Sequence, residues 1–470
     1  MKGSEKIKRR GGNVTLNDNK KKYEIDMCNG PIFSKMLRFT LPLMLSGIMQ
    51  LLFNAADIVV VGRFAGDNSL AAVGSTSSLV MLLVNIFVGL SIGANVLAAR
   101  YYGAKRDDEL SRTVHTAMLL SFISGIMLTV IGILGAKQLL VWMKAPEEVL
   151  GLAVIYLRIY FLGMPAMMLY NFGSSLLRAI GDTKRPLYYL MVAGVVNVSL
   201  NLFFVIVMNM GVAGVGLATA ISQVVSATFV VRCLMREEGA IKLIPKKLAL
   251  DTQVMGQILR IGLPAGFQGM VFSLSNVVIQ SSINLFGADV VAGNSAASSV
   301  EGFVYVAMNS FYQATLSFTS QNLGAKKYDR INKVLFVGIS CVMVVGIVLG
   351  NACTIFGETL LGIYSTSPVV IEAGMYRMKI ICSLYFLCGM MDVMVGALRG
   401  IGYSIMPMIV SLIGACALRL LWVATIFQIP RFHTTTGVYM SYPVTWTITL
   451  VAHIICFVWA RKKLEKEIQL

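Results

Sequence analysis

Asp57 stands in the stretch LLFNAADIVVVGRF, residues 51–64, among small, aliphatic and aromatic neighbours with only Asn54 for polar company and no basic residue before Arg63. Placing an ionised carboxylate at the centre of a bilayer costs roughly 2.5–3.5 kcal/mol on insertion scales. Burial disfavours the charged form of such a group, which suits it to taking up and releasing a proton or a small cation. Asn197 and Asn201, in VVNVSLNLFF, are four residues apart and share one face of a helix. Each offers a carbonyl oxygen and an amide donor. At 1.5 Å per residue they lie roughly 15–20 Å inside their span, near the depth of Asp57, and Thr219 in GVAGVGLATAISQ reaches a similar level from the next span. One carboxylate, two amides and a hydroxyl at one depth make a proton relay or a small-cation site, with Na⁺ at Asp57, Asn197 and Asn201 as the metal ion such a set would take. The competing reading is polar glue between helices, worth about 0.6 kcal/mol per bond.

The second half of the chain carries two further acids in apolar surroundings, Glu301 in SSVEGFVYVAMNSFYQ and Asp392 in CGMMDVMVGALRG. Both are candidates for ion coupling, against the alternative of acids held locally by backbone or by an arginine such as Arg399. Arg158, Arg377, Lys379 and Arg419 lie at span margins and are expected to snorkel to the interface. Soft methionine clusters, Met168 among them, suit an adaptable cavity, and Asn54, Asn171, Met168 and Gln268 are the candidate cavity residues. Eight scattered cysteines without a C-x-x-C pair and three distant histidines predict neither a disulfide framework nor a fixed metal centre. No organic cofactor is implied.

The elements that must carry these groups are transmembrane helices. The 470 residues are 56% hydrophobic and 13% charged, with a mean hydropathy of +0.74, far outside the range of a soluble chain. Twelve apolar runs of spanning length, about 20 residues each, lie between residues 36 and 460. The net charge of +17 is not one patch: basic clusters recur in every second loop and at both ends. By the positive-inside rule both termini are cytoplasmic and the protein is a multi-pass plasma-membrane protein. The first apolar run is too long and continuous for a signal-peptide core.

The chain is internally duplicated. YGAKRDD at 102–108 returns as LGAKKYD at 323–329, and LRAIGDTKRP at 177–186 as LRGIGYSIMP at 398–407, both at an offset of 221. This predicts a cytoplasmic tail (1–35), an N-lobe of six spans (36–234), a cytoplasmic linker (235–256), a C-lobe of six spans (257–460) and a short cytoplasmic tail (461–470). An even number of spans per lobe gives both the same orientation, so they are related by a pseudo-twofold along the membrane normal. Two like-oriented bundles around a cleft can rock between two access states, which moves a solute without a continuous pore.

With Pro42 and Asp57 in span one, the LRAIGDTKRP loop, the span-five asparagines and GVAGVGLATAISQ, the chain resembles the multidrug and toxic compound extrusion (MATE) family over residues 36–460, most nearly its DinF-like branch. The resemblance implies a twelve-helix, two-lobe fold and export of hydrophobic or cationic organic compounds in exchange for H⁺ or Na⁺. It makes Asp57 the coupling group and Pro42 the bend that answers to it, since proline removes one helical hydrogen bond. In that branch the second span-five position is commonly Asp, whereas here it is Asn201, which leaves one carboxylate where two are usual. A flippase for lipid-linked or amphipathic substrates is the rival reading. An enzyme is disfavoured, because the spans hold no H-E-x-x-H and no Ser/His arrangement. A nucleotide-driven pump is disfavoured by the absence of G-x-x-x-x-G-K-[ST]. The implied partners are a small organic substrate and the lipid bilayer, with no nucleic acid, and a monomer is expected.

Overall fold

The computed structural model describes residues 23–143 and 146–469. The basic stretch 2–22 of the N-terminal tail and the final Leu470 lie outside the described residues. The fold is all-helical, as a chain must be when its backbone crosses a medium that cannot hydrogen-bond it. The spans are α1 (Ile32–Phe64), α2 (Asp67–Gly103), α3 (Asp107–Trp142), α4 (Glu147–Leu162 then Met164–Ala179), α5 (Lys184–Leu202, closed by a π-turn at Phe203–Val207) and α6 (Gly211–Arg236). They continue with α7 (Thr252–Ile283), α8 (Ala288–Gly324), α9 (Tyr328–Ile355), α10 (Pro368–Ile381 then Phe386–Ile401), α11 (Ile405–Ser411, running through a π segment to Ala424) and α12 (Thr435–Gln469). Among the described residues nine helices are long and apolar enough to cross a membrane, and α4 and α10 are bent pairs, broken by 46° and 45°. α8 is too polar to join them, yet its 37 residues span about 55 Å at 1.5 Å per residue, and it packs between both halves of the molecule.

The duplication is written in the backbone. Left-handed φ values recur in pairs 221 residues apart: 84° at Gly66 and 96° at Gly287, 54° at Lys105 and 57° at Lys326, 94° at Gly181 and 114° at Gly402. A non-glycine residue in that region is uncommon, so its recurrence in two GAK turns marks one loop design used twice. The α4 bend has Pro165 in the first turn after the break. Its α10 counterpart keeps the bend without a proline, through a 3₁₀ turn at Cys382–Leu384.

The two cores exchange their first helices. Ile32, Met36, Phe39 and Leu43 of α1 lie in a core otherwise built from the second half of the chain, with Phe39 edge-on to Phe318 at 5.7 Å. Val254, Ile258 and Ile261 of α7 lie in the core of the first half. Pro42 and Pro264 sit inside these two helices, where α1 and α7 pass from one core toward the other. Arg330 donates to the Gly30 carbonyl at 3.1 Å and Arg461 to Asn332 Oδ1 at 2.9 Å, which places the start of α1 and the end of α12 on one face, the terminal face.

The halves are closed on that face. Side-chain hydrogen bonds between the two helical bundles start at the midpoint of α2, where Asn85 donates to Ser273 at 3.4 Å, and run toward the terminal face. They continue through Ser317 to Asn95 Oδ1 at 3.0 Å, Gln321 to the Ala179 carbonyl at 2.6 Å and Arg100 to the Ile401 carbonyl at 3.2 Å. α2 and α7 cross almost backbone to backbone: a Cβ on Gly89 would stand 2.2 Å from the Gly266 nitrogen. Between the halves lies a cavity of about 450 Å³, lined by groups that include Gln50, Asn85, Asn171, Arg178, Tyr305 and Gln313.

Candidate functional site

Asp57 reaches the fifth span because of a glycine. The Phe53 ring of α1 is seated against Gly194 of α5, where an added Cβ would fall 1.8 Å from ring carbons. One turn further along α1 is Asp57, and one and two turns further along α5 are Asn197 and Asn201. Asn201 Nδ2 donates to Asp57 Oδ1 and also to Asn197 Oδ1 at 3.3 Å. Asn197 Nδ2 in turn donates to Thr219 Oγ1 at 3.5 Å, and Thr219 donates to the Val215 carbonyl at 3.0 Å. The four residues chosen by type and depth therefore form one connected chain across α1, α5 and α6. Asn201 is wholly buried and Asn197 nearly so. Asn201 Oδ1 is buried with no hydrogen-bond partner. An amide oxygen in that position costs about 1–3 kcal/mol until a donor or a cation reaches it.

Gly194→Ala is expected to push Phe53 aside and separate α1 from α5. Overpacking of this kind costs about 1–3 kcal/mol, and gradient-driven transport should drop several-fold with it. Adding Phe53→Leu should restore most of the loss in both melting temperature and transport. Wild-type behaviour of the alanine variant alone would show that the ring contact does not set the distance between the helices.

The acids of the second half have different surroundings. Glu301 of α8 is 4% exposed and Arg377 of α10 is 7% exposed. They form a two-pronged pair, Nε to Oε1 at 2.9 Å and Nη2 to Oε2 at 2.6 Å. Arg377 also donates to Asn294 Oδ1 at 2.7 Å, Asn294 donates to Gln280 at 2.8 Å, and the guanidinium lies over the Tyr439 and Tyr442 rings. Asp392 has the Tyr305 hydroxyl beside it and Arg399 within electrostatic reach. Glu301 and Asp392 are not joined to each other or to the Asp57 chain by any hydrogen bond among the described residues.

Arg377 and Arg419 do not snorkel. Arg419 is 5% exposed, stacks 4.0 Å over Tyr442 and donates to Thr445 at 3.3 Å. Spacing in the sequence put these arginines at span margins because the α10 bend and the π segment in α11 are not visible in hydropathy. The partner of Glu301 is Arg377 and not Arg399; the signal that could have found it is Glu301 itself, since a buried acid requires a counter-charge. Of the cavity candidates, Asn171 lines the central cavity and donates to the Met167 carbonyl at 2.9 Å. Met168 is fully buried in the first-half core, Gln268 accepts from Arg399 at 2.8 Å behind the cavity wall, and Asn54 is exposed on α1. Arg178, at the cavity edge, donates to Ser175 Oγ at 2.6 Å. Arg399 also donates to the Tyr312 hydroxyl at 2.7 Å.

A family model described as MatE matches residues 42–203 and again 264–424. The chain is 28% identical over 449 residues to the probable multidrug resistance protein YoeA of Bacillus subtilis, covering 93% of this chain and 96% of that one. It is 23% identical over 445 residues to an FAD transporter of Shewanella oneidensis, with the same coverage of both chains. Among solved structures, the outward-facing conformation of a multidrug resistance MATE family transporter of the MOP superfamily superimposes with a TM-score of 0.86 at 22% identity, over 95% of this chain and 99% of the other. At that identity the likeness is one of fold.

Proposed function

This chain belongs to the MatE family, a family of membrane transporters and not of enzymes, and we propose that it is a secondary-active antiporter that exports hydrophobic or cationic organic compounds in exchange for H⁺ or Na⁺. The observation that carries the reading is the Asp57–Asn201–Asn197–Thr219 chain, a single carboxylate held by an amide whose own oxygen lacks a donor. A proton on Asp57 supplies a hydroxyl for an acid–amide pair with Asn201, and Na⁺ would be held by the side-chain oxygens of Asp57 and Asn201 and supply the compensating charge. Occupancy changes the balance of charge where α1 joins the first-half core, and Pro42, where α1 leaves the second-half core, is the place where it yields. Export follows when ion and substrate prefer opposite access states, because a ligand bound equally by both moves nothing.

The basic GAK turns, Lys105 with Arg106 and Lys326 with Lys327, share the terminal face with Arg461. This supports a plasma-membrane protein with both termini in the cytoplasm and makes the closed side of the cavity the cytoplasmic one. The span-one proline and acid favour the DinF-like branch, with Asn201 as the departure. The central cavity, lined by amides, hydroxyls and tyrosine rings among aliphatic residues, suits drug-like solutes of the kind named in its multidrug-resistance relatives, and transport as a monomer completes the reading.

Everted vesicles containing the protein are expected to accumulate a fluorescent organic cation when a proton or sodium gradient is imposed, and to lose it when the matching ionophore is added. Accumulation that ignores both gradients would refute antiport.

A further inference from the structure

The segment 23–30, ahead of α1, crosses the closed face of the molecule and is bonded to both halves. On the first half, Tyr102 donates to Glu24 Oε2 at 3.0 Å, and Arg185 lies over the Tyr23 ring at 5.5 Å. The Ile25 backbone runs so close to Gly181, itself at φ +94°, that a Cβ there would stand 2.5 Å from the Ile25 carbonyl. On the second half, Asn322 donates to the Met27 carbonyl at 3.1 Å, Lys327 to the Cys28 carbonyl at 3.0 Å and Arg330 to the Gly30 carbonyl at 3.1 Å. Met27 is fully buried in the second-half core. Backbone carbonyls satisfied by side chains of another element define a docked segment, not a tail lying on a surface.

The duplication sharpens the point. The corresponding segment ahead of α7 docks on the first half: Ile244 N donates to His115 at 3.0 Å, and Thr116 accepts from Asp251 N at 3.1 Å while donating to the Ala249 carbonyl at 3.3 Å. That crossing is obligatory, since residues 237–251 join the two halves. No covalent reason compels residues 23–30 to cross, yet they make the matching contact with the opposite half.

We propose that residues 23–30 are a latch that holds the terminal-face gate shut, and that opening the gate requires the segment to give up its bonds to one half, either those to Tyr102 and Arg185 or those to Asn322, Lys327 and Arg330. The inference rests on the alternating-access reading above for its consequence, since separation of the halves on this face cannot leave one short segment bonded to both.

The test uses the full chain in membrane vesicles of both orientations, with Ser310→Cys in the central cavity as a reporter for a membrane-impermeant maleimide, corrected for labelling of the parent's own cysteines. Tyr102→Phe removes the Glu24 bond and Lys327→Ala the bonds to the Cys28 carbonyl and Asn29 Oδ1, both at half-buried positions. Three lost bonds should raise the labelling rate from the terminal side by roughly tenfold or more and lower it from the opposite side. Glu24→Ala, which cuts the same Tyr102 bond from the latch side, should shift labelling in the same direction. If the double variant and Glu24→Ala both label as the parent does, while Asp57→Asn still alters labelling, the latch is wrong and the antiport reading stands. A label that follows the latch variants but neither ion gradient nor Asp57→Asn upholds the latch and removes the antiport reading alone.

Discussion

Asp57→Asn is expected to abolish gradient dependence while leaving the protein folded. The substituted amide still offers an oxygen to Asn201 Nδ2, so the loss of the charged acceptor in that hydrogen bond costs the fold about 1 kcal/mol. What disappears is the group whose occupancy differs between access states. Coupling free energies of 1–3 kcal/mol correspond to roughly 5- to 150-fold in affinity, and drug accumulation driven by a proton or sodium gradient should drop on that scale. Facilitated equilibration of substrate down its own gradient should persist. Asn201→Asp is the instructive companion: a second carboxylate against Asp57 should change the number of ions moved per substrate. Measured in everted vesicles under each gradient separately, an Asp57→Asn protein that pumps like the wild type would remove Asp57 as the coupling group.

The members of the Asp57 chain were legible in the sequence because residue type, helix face and depth follow local rules, whereas the contact of Asp57 with Asn201 is set by the seating of Phe53 on Gly194. Asn197 and Asn201 share a helix face through their spacing alone, and depth within a span follows from counting residues at a fixed rise. The duplication was legible because identical turns need identical residues: the GAK motifs that repeat in the sequence are the left-handed turns at Lys105 and Lys326. Features fixed by how helices bend and exchange partners were not legible. A kink of 45° in α10 carries Arg377 from an apparent margin into the core beside Glu301, and hydropathy has no term for it. The passage of α1 from one core to the other is equally silent, since Met36 and Phe39 read as apolar whichever half they enter. Residues 23–30 show no periodicity, being a docked loop that bends at 27–30, so nothing in their sequence marks them as structured.

On the antiport reading, Glu301 is a structural acid and Asp57 the coupling one. Its carboxylate accepts two bonds from Arg377, and the arginine is further held by Asn294 and two tyrosine rings, so no ion needs to visit it for charge balance. Removing one partner of a buried pair leaves the other uncompensated and costs about 3–5 kcal/mol, whereas replacing both by apolar groups of similar volume is often neutral or stabilising. Glu301→Gln and Arg377→Met should therefore each lower the melting temperature of the purified protein markedly, and the Glu301→Leu/Arg377→Met pair should recover most of the loss. Transport by the single variants should decline in proportion to folded protein, with the preference for one gradient over the other unchanged. A Glu301→Gln protein that melts like the wild type but no longer responds to a gradient would place the ion in the second half as well. Two exchangeable carboxylates in separate bundles would then let the ion act on both sides of the cleft, while a single one confines the driving event to the contact between α1 and α5.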